Sequence, residues 1–65
     1  MNKVKMSLAG LDGNAFSLMG AFKREARKQG WKREEIDIVL KECMSSDYNN
    51  LLCVLMDNTE ASEDE

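Results

Sequence analysis

The sequence predicts a mainly α-helical domain in which one short N-terminal strand precedes three helices, a β-α-α-α order. Three observations predict it. Residues 3–8 alternate, with Lys3, Lys5 and Ser7 on one side and Val4, Met6 and Leu8 on the other, and a period of two marks a half-buried strand. Leu11, Ala15, Phe16, Leu18, Met19, Phe22 and Ala26 then recur at helical spacing. The chain has no proline, and glycine, serine and aspartate divide the rest into two further apolar-periodic stretches.

Each element has its own local signals. The pair Ala9 and Gly10 forms the turn out of the strand. Asp12 stands at the N-cap position of the first helix, with Leu11 before it and Phe16 after it placed as a hydrophobic staple. Gly30 follows a basic last turn and suits the left-handed residue that ends a helix. The first helix is therefore expected over residues 13–29. The second starts near Arg33. Lys32 as N-cap puts Trp31 and Ile36 at staple positions, and Glu35 can reach back to the N-cap backbone as half of a capping box. The other half is absent, because lysine offers no acceptor. Ile36, Val39, Leu40 and Cys43 form its buried stripe. Ser45, Ser46 and Asp47 break the pattern and cap a third helix over 48–56, with Tyr48, Leu51, Leu52 and Leu55 inward. Residues 1–56 read as a single small domain. Residues 57–65 carry five acids and read as an acidic, disordered tail.

Sixty-five residues allow one domain. A chain of this size buries only about 60% of its unfolded surface and is marginal unless stapled or oligomeric. Staples are scarce. Cys43 and Cys53 are the only cysteines and there is no histidine, so no Cys/His zinc site can form. Two buried, reduced thiols are the expected state, with a disulfide or a metal shared between protomers as the alternative. The apolar run 51–56 is too short to cross a bilayer, and no signal peptide is evident. A cytoplasmic protein without membrane partners is expected.

A lone strand leaves backbone groups unpaired, and nothing later in the chain reads as a second strand. Pairing across a two-fold axis through Val4, Met6 and Leu8 would resolve this, so a homodimer is expected. The order strand 3–8, helix 13–29, Gly30, helix 33–44 resembles that of ribbon-helix-helix repressors. That resemblance implies DNA reading by the outward residues Lys3, Lys5 and Ser7. The chain departs from the plan in its acidic second half, its third helix, and a lysine where a hydroxyl usually opens the second helix.

A broader resemblance rests on Gly10, Leu11, Asp12, Gly13, Asn14, Ala15 and Phe16, on Gly20, Ala21 and Phe22, and on Gly30 and Trp31. It continues through Glu34, Glu35 and Ile36 to Ser46, Asp47 and Tyr48, then Leu51 and Leu52. Over these the chain resembles a family of short uncharacterised proteins of bacteriophages and bacterial mobile elements. The resemblance implies no activity. It implies a context, that of a phage accessory protein that acts by binding a host component.

Charge is split along the chain. Residues 1–33 hold eight basic side chains against two acids, and residues 34–65 hold one against ten. The net charge of −3 thus conceals a strong dipole, which bears on partners and encounter rates. Lys23, Arg24, Arg27, Lys28, Lys32 and Arg33 gather near one helix end and form the candidate partner-binding site, suited to nucleic acid, a nucleotide or an acidic protein. The competing cause is local: cations favour a helix C-terminus and acids the next N-terminus. A sequence pI of about 4.9 argues against general nucleic-acid affinity, unless the acidic tail shields the patch.

The remaining features read as packing. Gly13, Ser17, Gly20 and Ala21 make a small-residue stripe for close approach of another helix or a protomer. Met19, Met44 and Met56 read as gap-fillers, Trp31 as a staple residue, and Ile38 as a scattered apolar residue or part of an interface. No histidine, phosphate loop or pocket-forming carboxylate pair is present, so no catalytic residue, metal or cofactor is expected. The leading expectation is a non-enzymatic binding protein of phage type with a host protein as partner. A ribbon-helix-helix-like DNA binder is second, and a sponge for anionic nucleotides is third.

Overall fold

The computed structural model describes residues 3–8, 10 and 12–60. In chain order these form β1 (Val4–Lys5), α1 (Ala15–Lys28), α2 (Arg33–Cys43), α3 (Tyr48–Asp57) and β2 (Thr59–Glu60). The fold is mainly helical, with a short strand ahead of three helices, as the periodicities predict. Phe22, Ile36, Val39, Cys43, Leu55 and Val4 are the largest side chains fully enclosed in the core that the three helices and β1 share.

The cap of α1 differs from expectation. Asn14, not Asp12, is the N-cap, and its Oδ1 accepts from the Phe16 and Ser17 N–H groups. Asp12 instead accepts from the Asn14 N–H at 3.1 Å. Of the expected staple pair, Leu11 lies outside the described residues, and Phe16 is 76% exposed. The reason is angular. At 100° per residue Phe16 sits about 120° around the helix from Phe22, off the face that Leu18, Phe22 and Ala26 bury.

The end of α1 follows the prediction. Gly30 has φ +93°, a conformation other residues adopt only at a cost. Its N–H donates to the Arg27 carbonyl, and the Trp31 N–H donates to the Ala26 carbonyl at 3.0 Å. This pair of bonds is a Schellman motif. Trp31, folded back by it, packs edge-on against Phe22 with ring centroids 5.5 Å apart. At α2 the Lys32 N–H donates to Glu35 Oε1 at 2.8 Å. That is the half capping box expected, because the ammonium has no lone pair with which to complete it. Asp47 caps α3 by accepting from the Asn50 N–H at 2.9 Å.

The strand is not alone. β2 runs parallel to β1, with Val4 opposite Thr59 and Lys5 opposite Glu60. The Val4 and Met6 N–H groups donate to the Asn58 and Glu60 carbonyls. The residues expected to begin a disordered tail thus complete α3 at Asp57 and supply the missing strand; residues 61–65 lie outside the described residues. The Thr59 hydroxyl donates to the Leu55 carbonyl at 2.9 Å and its side chain is buried, which draws the chain back across the core. On the other edge of β1, Gln29 closes the ladder. The Lys5 N–H donates to Gln29 Oε1 at 2.7 Å, and Gln29 Nε2 donates to the Lys5 carbonyl at 2.8 Å. Val4 and Met6, read as a dimer strand, are buried in their own chain, and Leu8 packs partly buried against the same core. Nothing in this arrangement requires a second copy.

Three smaller expectations are corrected. Cys53 is exposed, while Cys43 is buried, and both are free thiols. Met44 and Met56 are exposed rather than filling gaps; Met19 does lie in the core. Gly20 is exposed, and a Cβ built there would meet nothing within 4 Å, so the small-residue stripe serves no close helix approach at that point.

Candidate functional site

The six predicted binding cations are all exposed and occupy the end of the molecule where α1 finishes and α2 begins. Lys23, Arg27 and Arg33 line a groove of about 450 Å³ with Trp31, Ile36 and Asp37. A shallower hollow beside it is lined by Gly20, Lys23, Arg24, Arg27 and Lys28. The third groove was not foreseen. Lys3 and Lys5, read as separate DNA-reading residues, line it with Gln29, Gly30, Trp31, Lys32 and Glu35. Ser7, the third of that set, is half-buried and lines none of the three. Shared walls make these surfaces continuous, because Lys23 and Arg27 belong to two of them and Trp31 to two. Eight of the chain's nine basic residues thus form one belt, and only Lys41 stands apart on the last turn of α2.

The fold assembles this belt by three devices. The helical spacing of α1 stacks Lys23 over Arg27 and Arg24 over Lys28. The Schellman turn swings Lys32 and Arg33 back beside that row. The Gln29 amide fixes the β1 backbone so that Lys3 and Lys5 border the same turn. None of the eight was hidden by composition, but the Gln29 link helps join Lys3 and Lys5 to the rest, and no pattern in the sequence announces a side chain 24 residues from its partner.

Compensation of helix dipoles accounts for only part of the belt. Arg27 and Lys28 lie in the last turn of α1, where cations are favourable. Lys32 and Arg33 sit at the N-terminus of α2, the positive end, where the dipole disfavours them. Glu25 lies 3.6 Å from Lys28 and 3.9 Å from Arg24, and such exposed pairs contribute only about 0–1 kcal/mol. Lys23, Arg27, Lys32 and Arg33 have no ion-pair partner among the described residues. Acids are nonetheless interleaved: Asp37 lines the first groove and Glu35 the third.

The opposite end of the α1–α2 hairpin has a different chemistry. Phe16 on α1, Met44 after α2 and Tyr48 on α3 border a hollow of about 290 Å³, and they are 76%, 61% and 44% exposed. The Tyr48 hydroxyl donates to the Gly13 carbonyl, tying the start of α3 to the entry of α1. The Cys43 thiol on the floor of this hollow is pushed up from its ordinary pKa, first by burial and then by the neighbouring Glu42 charge. Both effects favour the protonated thiol, and the side chain packs in the core.

No family model, curated protein or solved structure matches the chain. Among the described residues, no helix is long and apolar enough to cross a membrane.

Proposed function

We propose that the chain is a small non-enzymatic binding protein, of the phage accessory kind, that engages an acidic macromolecule of its host through the basic belt. One observation carries the reading: exposed cations from β1, α1 and the α1–α2 turn meet around Trp31, two of them at a helix N-terminus where the dipole opposes them. An acidic protein face suits this surface better than a polyphosphate chain does. Asp37 and Glu35 stand in the groove walls, where they would repel a continuous run of phosphates and accept bonds from donors on a protein. The ribbon-helix-helix alternative needs a strand free to pair with a second copy, and β1 already has neighbours on both edges.

The test is capture from nuclease-treated bacterial lysate with tagged protein. The intact chain should retain a protein that raised salt releases, since exposed charge contacts are screened. The triple substitution Lys23→Gln, Arg27→Gln, Arg33→Gln should retain the fold and lose that protein. Capture by the triple variant at the same level would remove the belt from the function. Loss of all capture on nuclease treatment would make nucleic acid the partner.

A further inference from the structure

We infer that the end opposite the belt is a second, independent docking surface, and that its occupant is a basic amphipathic helix. The surface is built as interfaces are. Met19, Cys43 and Leu51 are buried on its floor, and Phe16, Met44 and Tyr48 stand around it. Aromatic side chains and methionine are the types enriched at interface cores, and here the exposed Phe16, Met44 and Tyr48 are grouped around one hollow rather than scattered singly.

The walls are held before anything binds. Asn14 fixes the first turn of α1 through the Phe16 N–H itself, and Asp47 fixes the first turn of α3. The Tyr48 hydroxyl joins those two starts. Asn50 Nδ2, donating to the Glu42 carbonyl, fixes the turn between α2 and α3. A surface that need not be ordered on binding loses less entropy.

Size and charge select the occupant. A stable dimer buries about 800 Å² on each partner, and three bordering side chains fall well short of that. They match the stripe of two or three apolar anchors that one helix presents at i, i+3 or i+4, and i+7. The charged side chain that lines the hollow is acidic, Asp47, and the Glu42 carboxylate is close enough to act on the Cys43 thiol at its floor. Two copies meeting face to face would juxtapose these carboxylates. A helix with lysine or arginine flanking its apolar stripe would pair with them.

The probe is a labelled helical peptide with leucine at positions i, i+4 and i+7 and lysine flanks, titrated by fluorescence anisotropy. Methionine methyl resonances are followed in parallel. The intact chain should bind it saturably and shift the Met44 methyl. Phe16→Ala and Met44→Ala, both surface changes that leave the core untouched, should each weaken binding by roughly tenfold or more. The belt substitutions Arg27→Gln and Arg33→Gln should leave it unchanged, so failure here is separable from failure of the belt. Equal affinity of Phe16→Ala and the intact chain, or of a glutamate-flanked peptide, overturns the proposal. So does sedimentation showing a dimer that Phe16→Ala dissolves, since a second copy would then be the occupant.

Discussion

The two ends of the α1–α2 hairpin are built on opposite rules. At the apolar end, α1 and α3 both begin, and each start carries a side-chain cap, Asn14 and Asp47. At the basic end α2 begins on Lys32, whose side chain accepts nothing. The apolar end commits its polar side chains to local backbone and exposes its large apolar ones. The basic end leaves a helix start half capped and gathers like charges around it. Local stability is therefore uneven, and the end that departs furthest from good helix chemistry is the one that carries the concentrated charge. Functional surfaces commonly show that pattern, because the residues that suit a partner are not those that suit the fold.

The strongest way to break the comparison is to ask whether the ends are separate units. Phe22 is fully buried and touches the basic end through Trp31. Phe22→Ala should cost about 3–5 kcal/mol, a large fraction of what a small domain has. If one core serves both ends, hydrogen exchange in that variant should show amides of α3 and of the Gly30 turn losing protection together. Loss confined to the Gly30 turn would divide the molecule into two cooperative units.

A smaller change should act on the basic end alone. Gln29→Ala removes both bonds to the Lys5 backbone at an exposed site, at a cost of about 1–2 kcal/mol. The Lys5 amide should exchange much faster, while the Tyr48 ring resonances stay in place. An unaltered Lys5 exchange rate would mean that β2 alone holds β1. The opened edge is also a template for another strand. Concentration-dependent sedimentation of this variant, absent in the intact chain, would show that Gln29 is what keeps the strand from pairing between copies.

The contrast between these elements also shows what was legible in the sequence. The three helices were, because a 3.6-residue apolar period sustained over ten or more positions is the mark of a helix with one buried face, and Gly30 and Asp47 punctuate the stretches between them. β2 was not. Two residues carry no period, and Thr59 and Glu60 lie in a polar, acidic stretch whose composition reads as a tail. Their order comes from tertiary bonds, the Thr59 hydroxyl to Leu55 and the ladder to β1. The same blindness to distant contacts hid the union of Lys3 and Lys5 with the α1 cations. The apolar end was misread for another reason: Phe16 and Met44 are apolar residues beside apolar stripes, and a linear pattern does not tell the margin of a buried face from its centre.

Gly20 tests the border of the belt. It lies in mid-helix, exposed, with open space where a Cβ would go. Gly20→Ala should stabilise the domain by about 1 kcal/mol through helix propensity alone, read as a shift in the denaturant midpoint at constant slope. A loss would mean that α1 packs against something not visible in the isolated chain, such as a bound partner or a second copy.

The smallest effect addresses the asymmetry of the caps directly. Lys32 already holds the extended backbone of an N-cap, φ −79° and ψ 153°, and Glu35 already satisfies its N–H. Only the acceptor is missing. Lys32→Thr supplies it and should raise stability by about 0.5–1 kcal/mol, toward the lower part of the usual range because threonine is the weaker of the hydroxyl and amide caps. The same change removes one cation from the groove that holds Lys3 and Lys5, so a belt partner should bind the stabilised variant less tightly, most visibly at low salt. Opposite signs for stability and binding in one substitution would show that the poor cap is retained for the charge it places there. A variant that gains stability and keeps its partner would leave Lys32 without a role in the belt, and would narrow the site to the groove of Lys23, Arg27 and Arg33.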